Sequence, residues 1–142
     1  MYQNGRLKIF QRPAEIMTEA IKSVYPDYTV ILDAQIPDKE DEDSPAMDFK
    51  PFRTQVEWEL HAQDIADLRV YYFDPETKSP ITLLELGLYA TKPCVVYCPE
   101  GYFRKGNVDI VCKKYGIPVF DDKEIFKAEL ACRVRVMMRE RW

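Results

Sequence analysis

Residues 68–73, Leu68-Arg69-Val70-Tyr71-Tyr72-Phe73, form a nearly continuous apolar run broken only by Arg69. A strand with one wet face alternates apolar and polar residues. A run without that alternation reads as a strand buried on both sides, which requires a covering layer on each face. Shorter apolar runs recur at residues 7–10, 28–32, 94–98 and 117–120. Between them lie stretches with helical spacing. Pro13 opens one through Ile16, Met17, Ala20, Ile21 and Val24, and Pro26 ends it. Phe52, Val56, Leu60 and Ile65 mark a second, Ser79-Pro80 starts a third, and Val108, Val111 and Cys112 mark a fourth. Asp121 and Asp122 start the last, in which Phe126, Leu130, Val134 and Met137 line one side; Arg139 and Arg141 lie near its C-terminus, as the helix dipole prefers. Residues 37–51 are rich in Pro, Asp and Glu and read as a long surface loop or flap, with residues 38–43 a solvated face.

Strands and helices alternating at this spacing predict an α/β fold: a three-layer, doubly wound (flavodoxin-like), five-stranded parallel sheet of order 2-1-3-4-5, with helices on both faces and right-handed crossovers. A chain of 142 residues suits one domain spanning residues 1–142. A net charge of −4, without a basic stripe interleaved with aromatics, argues against duplex DNA or RNA as a partner. No apolar run approaches the about 18 residues needed to span a bilayer, so no membrane partner and a cytoplasmic location are expected. The four cysteines lack C-x-x-C spacing and the single histidine, His61, has no companion ligand, so neither a structural metal nor a cofactor is expected.

In such a sheet, ligands bind beyond the carboxyl ends of the strands where the strand order reverses, here between the first and third. That places the loop after strand three, from Asp74 to Ser79, and the residues after strand one, Gln11-Arg12-Pro13, at the crevice. The helix beginning at Ser79-Pro80 starts there too. It reads Ile81, Leu83, Leu84, Leu86, Leu88 and Tyr89, apolar on nearly every side, and should be buried, with the Ser79 oxygen capping its first turn and Pro80 at its first position. It nevertheless carries one carboxylate, Glu85. Burying an ionised carboxylate without partners costs several kcal/mol, so Glu85 is either rescued by a partner or kept for chemistry.

These residues resemble the nucleoside 2-deoxyribosyltransferase-like family, which includes nucleoside 5′-monophosphate N-glycosidases. The resemblance rests on Gln55-Val56-Glu57-Trp58-Glu59-Leu60, on Ala66-Asp67, on Ser79-Pro80-Ile81-Thr82-Leu83-Leu84-Glu85-Leu86-Gly87-Leu88, on Cys98-Pro99-Glu100-Gly101 and on Lys105-Gly106-Asn107-Val108. It implies that Glu85 is the nucleophile that attacks the anomeric carbon, forming a glycosyl–enzyme intermediate. Glu85 must then be ionised, and the nearby helix N-terminus and hydrogen bonds are expected to oppose the upward pKa shift of burial. Glu59 stands where the family has an acidic residue facing the base. Asn107 falls, with one gap in the match, on a family asparagine that arrives from a neighbouring subunit, which implies a homo-oligomer; in its plainer reading, Gly106-Asn107 is a loop and helix cap. Ser79 replaces an aspartate of the transferases and matches the serine of the monophosphate hydrolases. It therefore has two roles open to it, helix cap and phosphate donor.

One segment departs from the family. Members follow strand one with a glycine-containing loop, whereas this chain has Gln11-Arg12-Pro13, which cannot take positive φ cheaply and lacks one N–H. Gln11 is then expected to hydrogen-bond a sugar and Arg12 to pair with a phosphate, with Asp74 beside them among the substrate-contacting positions. Two functions follow. One is cleavage of the N-glycosidic bond of a small-molecule nucleoside or its 5′-monophosphate, with the sugar passed to water or to another base. The alternative is a catalytically altered nucleotide-binding or regulatory module on the same fold.

Overall fold

The apolar run at residues 68–73 forms the middle of a parallel sheet. The computed structural model describes residues 7–12, 29–31 and 49–141. Its strands are β1 (Lys8–Arg12), β2 (Thr29–Ile31), β3 (Leu68–Tyr72), β4 (Cys94–Tyr97) and β5 (Val119–Phe120), in the order β2-β1-β3-β4-β5. Every pairing is parallel. All of β3 is buried, as a strand covered on both faces must be. The helices are α1 (Lys50–Ile65), α2 (Pro80–Leu88), α3 (Lys105–Tyr115) and α4 (Lys123–Arg141). The expected helix after Pro13, the acidic run at residues 38–43 and Trp142 lie outside the described residues. Among the described residues, no helix is long and apolar enough to cross a membrane.

Alternation along the strands divides the core in two. Phe10, Tyr71, Phe73, Val96 and Cys98 point to one face and pack with Ala62, Leu86, Tyr89, Val108 and Cys112 from α1, α2, α3 and the α2 C-terminus. Ile9, Val70, Tyr72, Val95 and Tyr97 point to the other and pack with Phe126, Leu130, Val134 and Met138 of α4. The α4 stripe keeps its four-residue spacing to the end, so it closes on Met138, which is buried, and the expected Met137 is only partly so. Asp122 accepts a hydrogen bond from the Ile125 N–H (2.9 Å), which caps α4.

Three sequence expectations are corrected. Gln11 and Arg12 do not form a loop: β1 runs on through them, with Gln11 beside Val70 and Arg12 beside Tyr71, because the central strand offers a ladder that long. The α2 helix is not buried all round. Ile81, Leu84 and Leu88 are each more than half exposed on its outer side, since a helix laid on a sheet buries one stripe. Gly106 and Asn107 are not a loop and cap but lie in the first turn of α3, which begins at Lys105.

Candidate active site

The order β2-β1-β3 reverses the winding at β1, so the crevice lies beyond the ends of β1 and β3. Arg12 is the last residue of β1 and, two residues on from Phe10, shares its face of the sheet. Its guanidinium lies 5.6 Å from the Phe10 ring centroid and reaches α2. Arg12 Nε–H donates to Glu85 Oε1 at 2.6 Å and Nη2–H to Glu85 Oε2 at 3.1 Å, a bidentate fork on both carboxylate oxygens. The same Nη2 lies 3.0 Å from Glu59 Oε1. Arg12 therefore bridges the two carboxylates singled out above, and the three groups together carry one net negative charge when both acids are ionised.

Glu85 is 3 % exposed. Burial pushes its carboxyl above the ordinary glutamate value; the charge and hydrogen bonds of Arg12 pull the other way, helped by Gln63, and the Glu59 charge adds to the rise. The net shift is upward. The relief comes from Arg12 rather than from the helix N-terminus, because Glu85 sits beyond the first turn of α2, where the dipole has faded.

Glu59 is no solvated surface group. It is largely buried beside Arg12, and Gln55 Nε2 donates to its Oε2 at 2.7 Å. Gln63, fully buried, donates to the Glu59 backbone carbonyl (3.3 Å) and accepts a hydrogen bond from the Tyr71 hydroxyl. Desolvation drives the Tyr71 pKa far above that of an ordinary phenol, so Tyr71 stays a donor and fixes which way the Gln63 amide faces. Gln55, Gln63 and Tyr71 are polar supports that sequence reasoning missed. The signal was present: Gln55, Glu59 and Gln63 stand four apart and so share one side of α1.

The loop before α2 forms the rim. Asp74 Oδ1 accepts from the Glu76 N–H (2.9 Å) and its carbonyl from the Thr77 N–H (3.1 Å), a tight polar turn. Ser79 occupies the N-cap position but makes no side-chain cap, contrary to expectation. Its backbone is left-handed at φ 47°, which turns the hydroxyl to Thr77 Oγ1 (2.8 Å). Such a conformation in a residue that is not glycine, and that precedes proline, costs about 1–3 kcal/mol. A cavity of about 290 Å³ opens here, lined by Arg12, Tyr72, Asp74, Thr77, Ser79 and Thr82 among others.

Two expected site residues stand apart from this cluster. Gln11 is buried, but alternation places it on the sheet face of Leu7 and Ile9, opposite Arg12. Asn107 is exposed on α3 and is not among the groups bonded to Glu85 within the described residues. Lys105 turns to the Cys98 carbonyl (2.9 Å) and to Asp109 (3.2 Å). His61 is an exposed residue with its ring 6.0 Å from that of Trp58.

A family model described as nucleoside 2-deoxyribosyltransferase like matches residues 14–102. The matched span holds Glu59, Asp74, Ser79 and Glu85 but begins after Arg12 and ends before Asn107. No curated protein matches the chain.

Proposed function

The chain belongs to the nucleoside 2-deoxyribosyltransferase-like family, and from that premise we propose that it cleaves the N-glycosidic bond of a small-molecule nucleoside or its 5′-monophosphate, with Glu85 as nucleophile. One observation carries the reading: a nearly fully buried carboxylate at the strand-order switch, held by a guanidinium rather than replaced by an apolar residue. In this mechanism the Glu85 carboxylate attacks the anomeric carbon as the bond to the base breaks. The sugar is then held as a glycosyl ester, and water or a second base displaces Glu85. With two carboxylates, Glu85 and Glu59, against one guanidinium, the site carries net negative charge whether or not Arg12 stays on Glu85, which favours the oxocarbenium-like transition state, in which the sugar gains positive charge. Glu59 is the group assigned to orient or protonate the departing base, and Gln63 and Tyr71 steady the nucleophile from behind.

The same reading takes residues 1–142 as one flavodoxin-like, three-layer domain in the cytoplasm, and as a homo-oligomer. Support for assembly comes from the outer side of α2, where Ile81, Leu84 and Leu88 are exposed, and from exposed Ile110 three residues after Asn107. An interface there leaves Asn107 available to a partner copy's site.

A second reading, a nucleotide-binding module without turnover, is favoured by a different observation: both oxygens of Glu85 are engaged by Arg12. The two separate in one assay. Purified protein is incubated with deoxynucleosides and their 5′-monophosphates, and free base is measured by chromatography. The glycosidase reading expects base release that Glu85→Ala abolishes in a folded protein. Ligand-raised Tm without any base release supports the module instead.

A further inference from the structure

Arg12 stands between the cavity and the nucleophile. The cavity beside the Asp74–Ser79 turn is lined by Arg12 but not by Glu85, which is 3 % exposed. Taking Glu85 as the nucleophile, as proposed above, we infer that Arg12 is a latch on it, released when an anionic group of the substrate, a phosphate, draws the guanidinium away. The chain then selects phosphorylated over neutral nucleosides through access to its nucleophile as well as through binding.

Three observations lead there. The fork places N–H donors on both Glu85 oxygens, at 2.6 and 3.1 Å, which draws electron density from each, and the cavity wall is formed by Arg12 rather than Glu85. A neutral sugar hydroxyl offers too little to break a bidentate, charge-assisted pair that is also tied to Glu59 at 3.0 Å. A phosphate matches the same fork geometry, carries up to two negative charges, and is among the few small groups that compete with two carboxylates for a guanidinium. The cavity side of Arg12 is where such a group arrives, with the Thr77 and Ser79 hydroxyls, 2.8 Å apart, on the same wall.

Charge explains why release does not strand the carboxylate. When Arg12 leaves, the developing positive charge of the sugar takes the place beside Glu85 that the guanidinium held. The latch also reconciles the two observations that pulled the functional readings apart: a retained nucleophile, and a nucleophile capped at rest.

The test uses the full chain, an unphosphorylated deoxynucleoside, and inorganic phosphate supplied separately. Base release is followed as phosphate rises, with sodium chloride at matched ionic strength as control. In parallel, the ¹⁵N-labelled Arg12 Nε–H resonance, identified by its loss in Arg12→Lys, is followed through the same titration. The latch predicts a saturable acceleration of about tenfold or more by phosphate alone, a matching shift of the Arg12 signal, and loss of the acceleration in Arg12→Lys. Base release that ignores phosphate, or responds equally to chloride, overturns the latch and leaves the glycosidase reading standing. An Arg12 signal unmoved by phosphate also overturns it. If phosphate moves that signal but no substrate yields base, the latch geometry stands and the glycosidase reading falls.

Discussion

The two faces of the sheet are built from the same strands and differ in what they bury. On the α4 face, the core is aromatic and aliphatic apart from Gln11 near the end of β1. Tyr72 and Tyr97 stack with ring centroids 4.5 Å apart, and Phe126 packs against both at 6.3 and 5.4 Å. On the opposite face, the same strands bury Arg69, Gln63, Tyr71 and Glu85 among their apolar neighbours. Arg69 explains itself. Its guanidinium donates to the carbonyls of Gln63 (2.9 Å), Pro93 (2.9 Å) and Ala66 (2.7 Å), which ties α1 and the β4 approach to the start of β3. At the other end of the strands, among the described residues, Arg12, Gln55, Gln63 and Tyr71 form a side-chain network around the carboxylates of Glu85 and Glu59. Arg69 ends on backbone carbonyls, whereas Arg12 ends on two carboxylates, the pattern expected of a functional end.

Phe126→Ala should remove about 3–5 kcal/mol of stability, read as a lower denaturant midpoint, while leaving base release per folded molecule unchanged. A loss of turnover in the folded fraction would show that the α4 face also shapes the site. Tyr71→Phe deletes the donor that orients Gln63 and should cost about 1–3 kcal/mol. Unlike the Phe126 change, it should also slow turnover, because Gln63 then turns its oxygen freely toward Glu85.

The Glu85 carboxyl titrates above the ordinary value in the folded chain, so folding favours its protonated form. Its contribution to stability is therefore complete below the unfolded glutamate pKa of about 4.3 and is lost as pH rises through the folded value. The stability of the wild type relative to Glu85→Gln should fall over that window, as measured by Tm at stepped pH. A flat difference would mean that Arg12 and Gln63 cancel the burial completely. Base release, which needs the ionised form, should rise over the same window. The smallest effect is expected at Ser79. Ser79→Gly relieves the left-handed backbone at φ 47° but adds unfolded-state freedom, for a net gain of up to about 1 kcal/mol.

Much of the scaffold was legible because it depends on periodicity. The apolar run at residues 68–73, the Phe126-Leu130-Val134 spacing and the Ser79-Pro80 helix start each carry their structure in local pattern. The site was legible only where one residue conflicted with its surroundings, as Glu85 does in α2. Arg12 was placed at the crevice and paired with a phosphate, but its bond to Glu85 was not legible, because nothing in Gln11-Arg12-Pro13 reveals that β1 continues through it and aims it at α2. Strand alternation then separated Gln11 from Arg12, an outcome that hangs on one residue of register. The left-handed backbone of Ser79 was invisible for a similar reason: a serine before a proline at a helix start looks like a side-chain cap, and only the turn built by Asp74 and Thr77 rotates it away.

In the proposed mechanism the buried carboxylate of Glu85 bonds covalently to the sugar. Peptide mass spectrometry of protein quenched in acid during turnover of a deoxynucleoside 5′-monophosphate tests it most directly. The predicted result is a glycosyl adduct confined to the peptide bearing Glu85 and absent from Glu85→Gln. Base release with the adduct on another residue, or undiminished base release by Glu85→Gln, would contradict it.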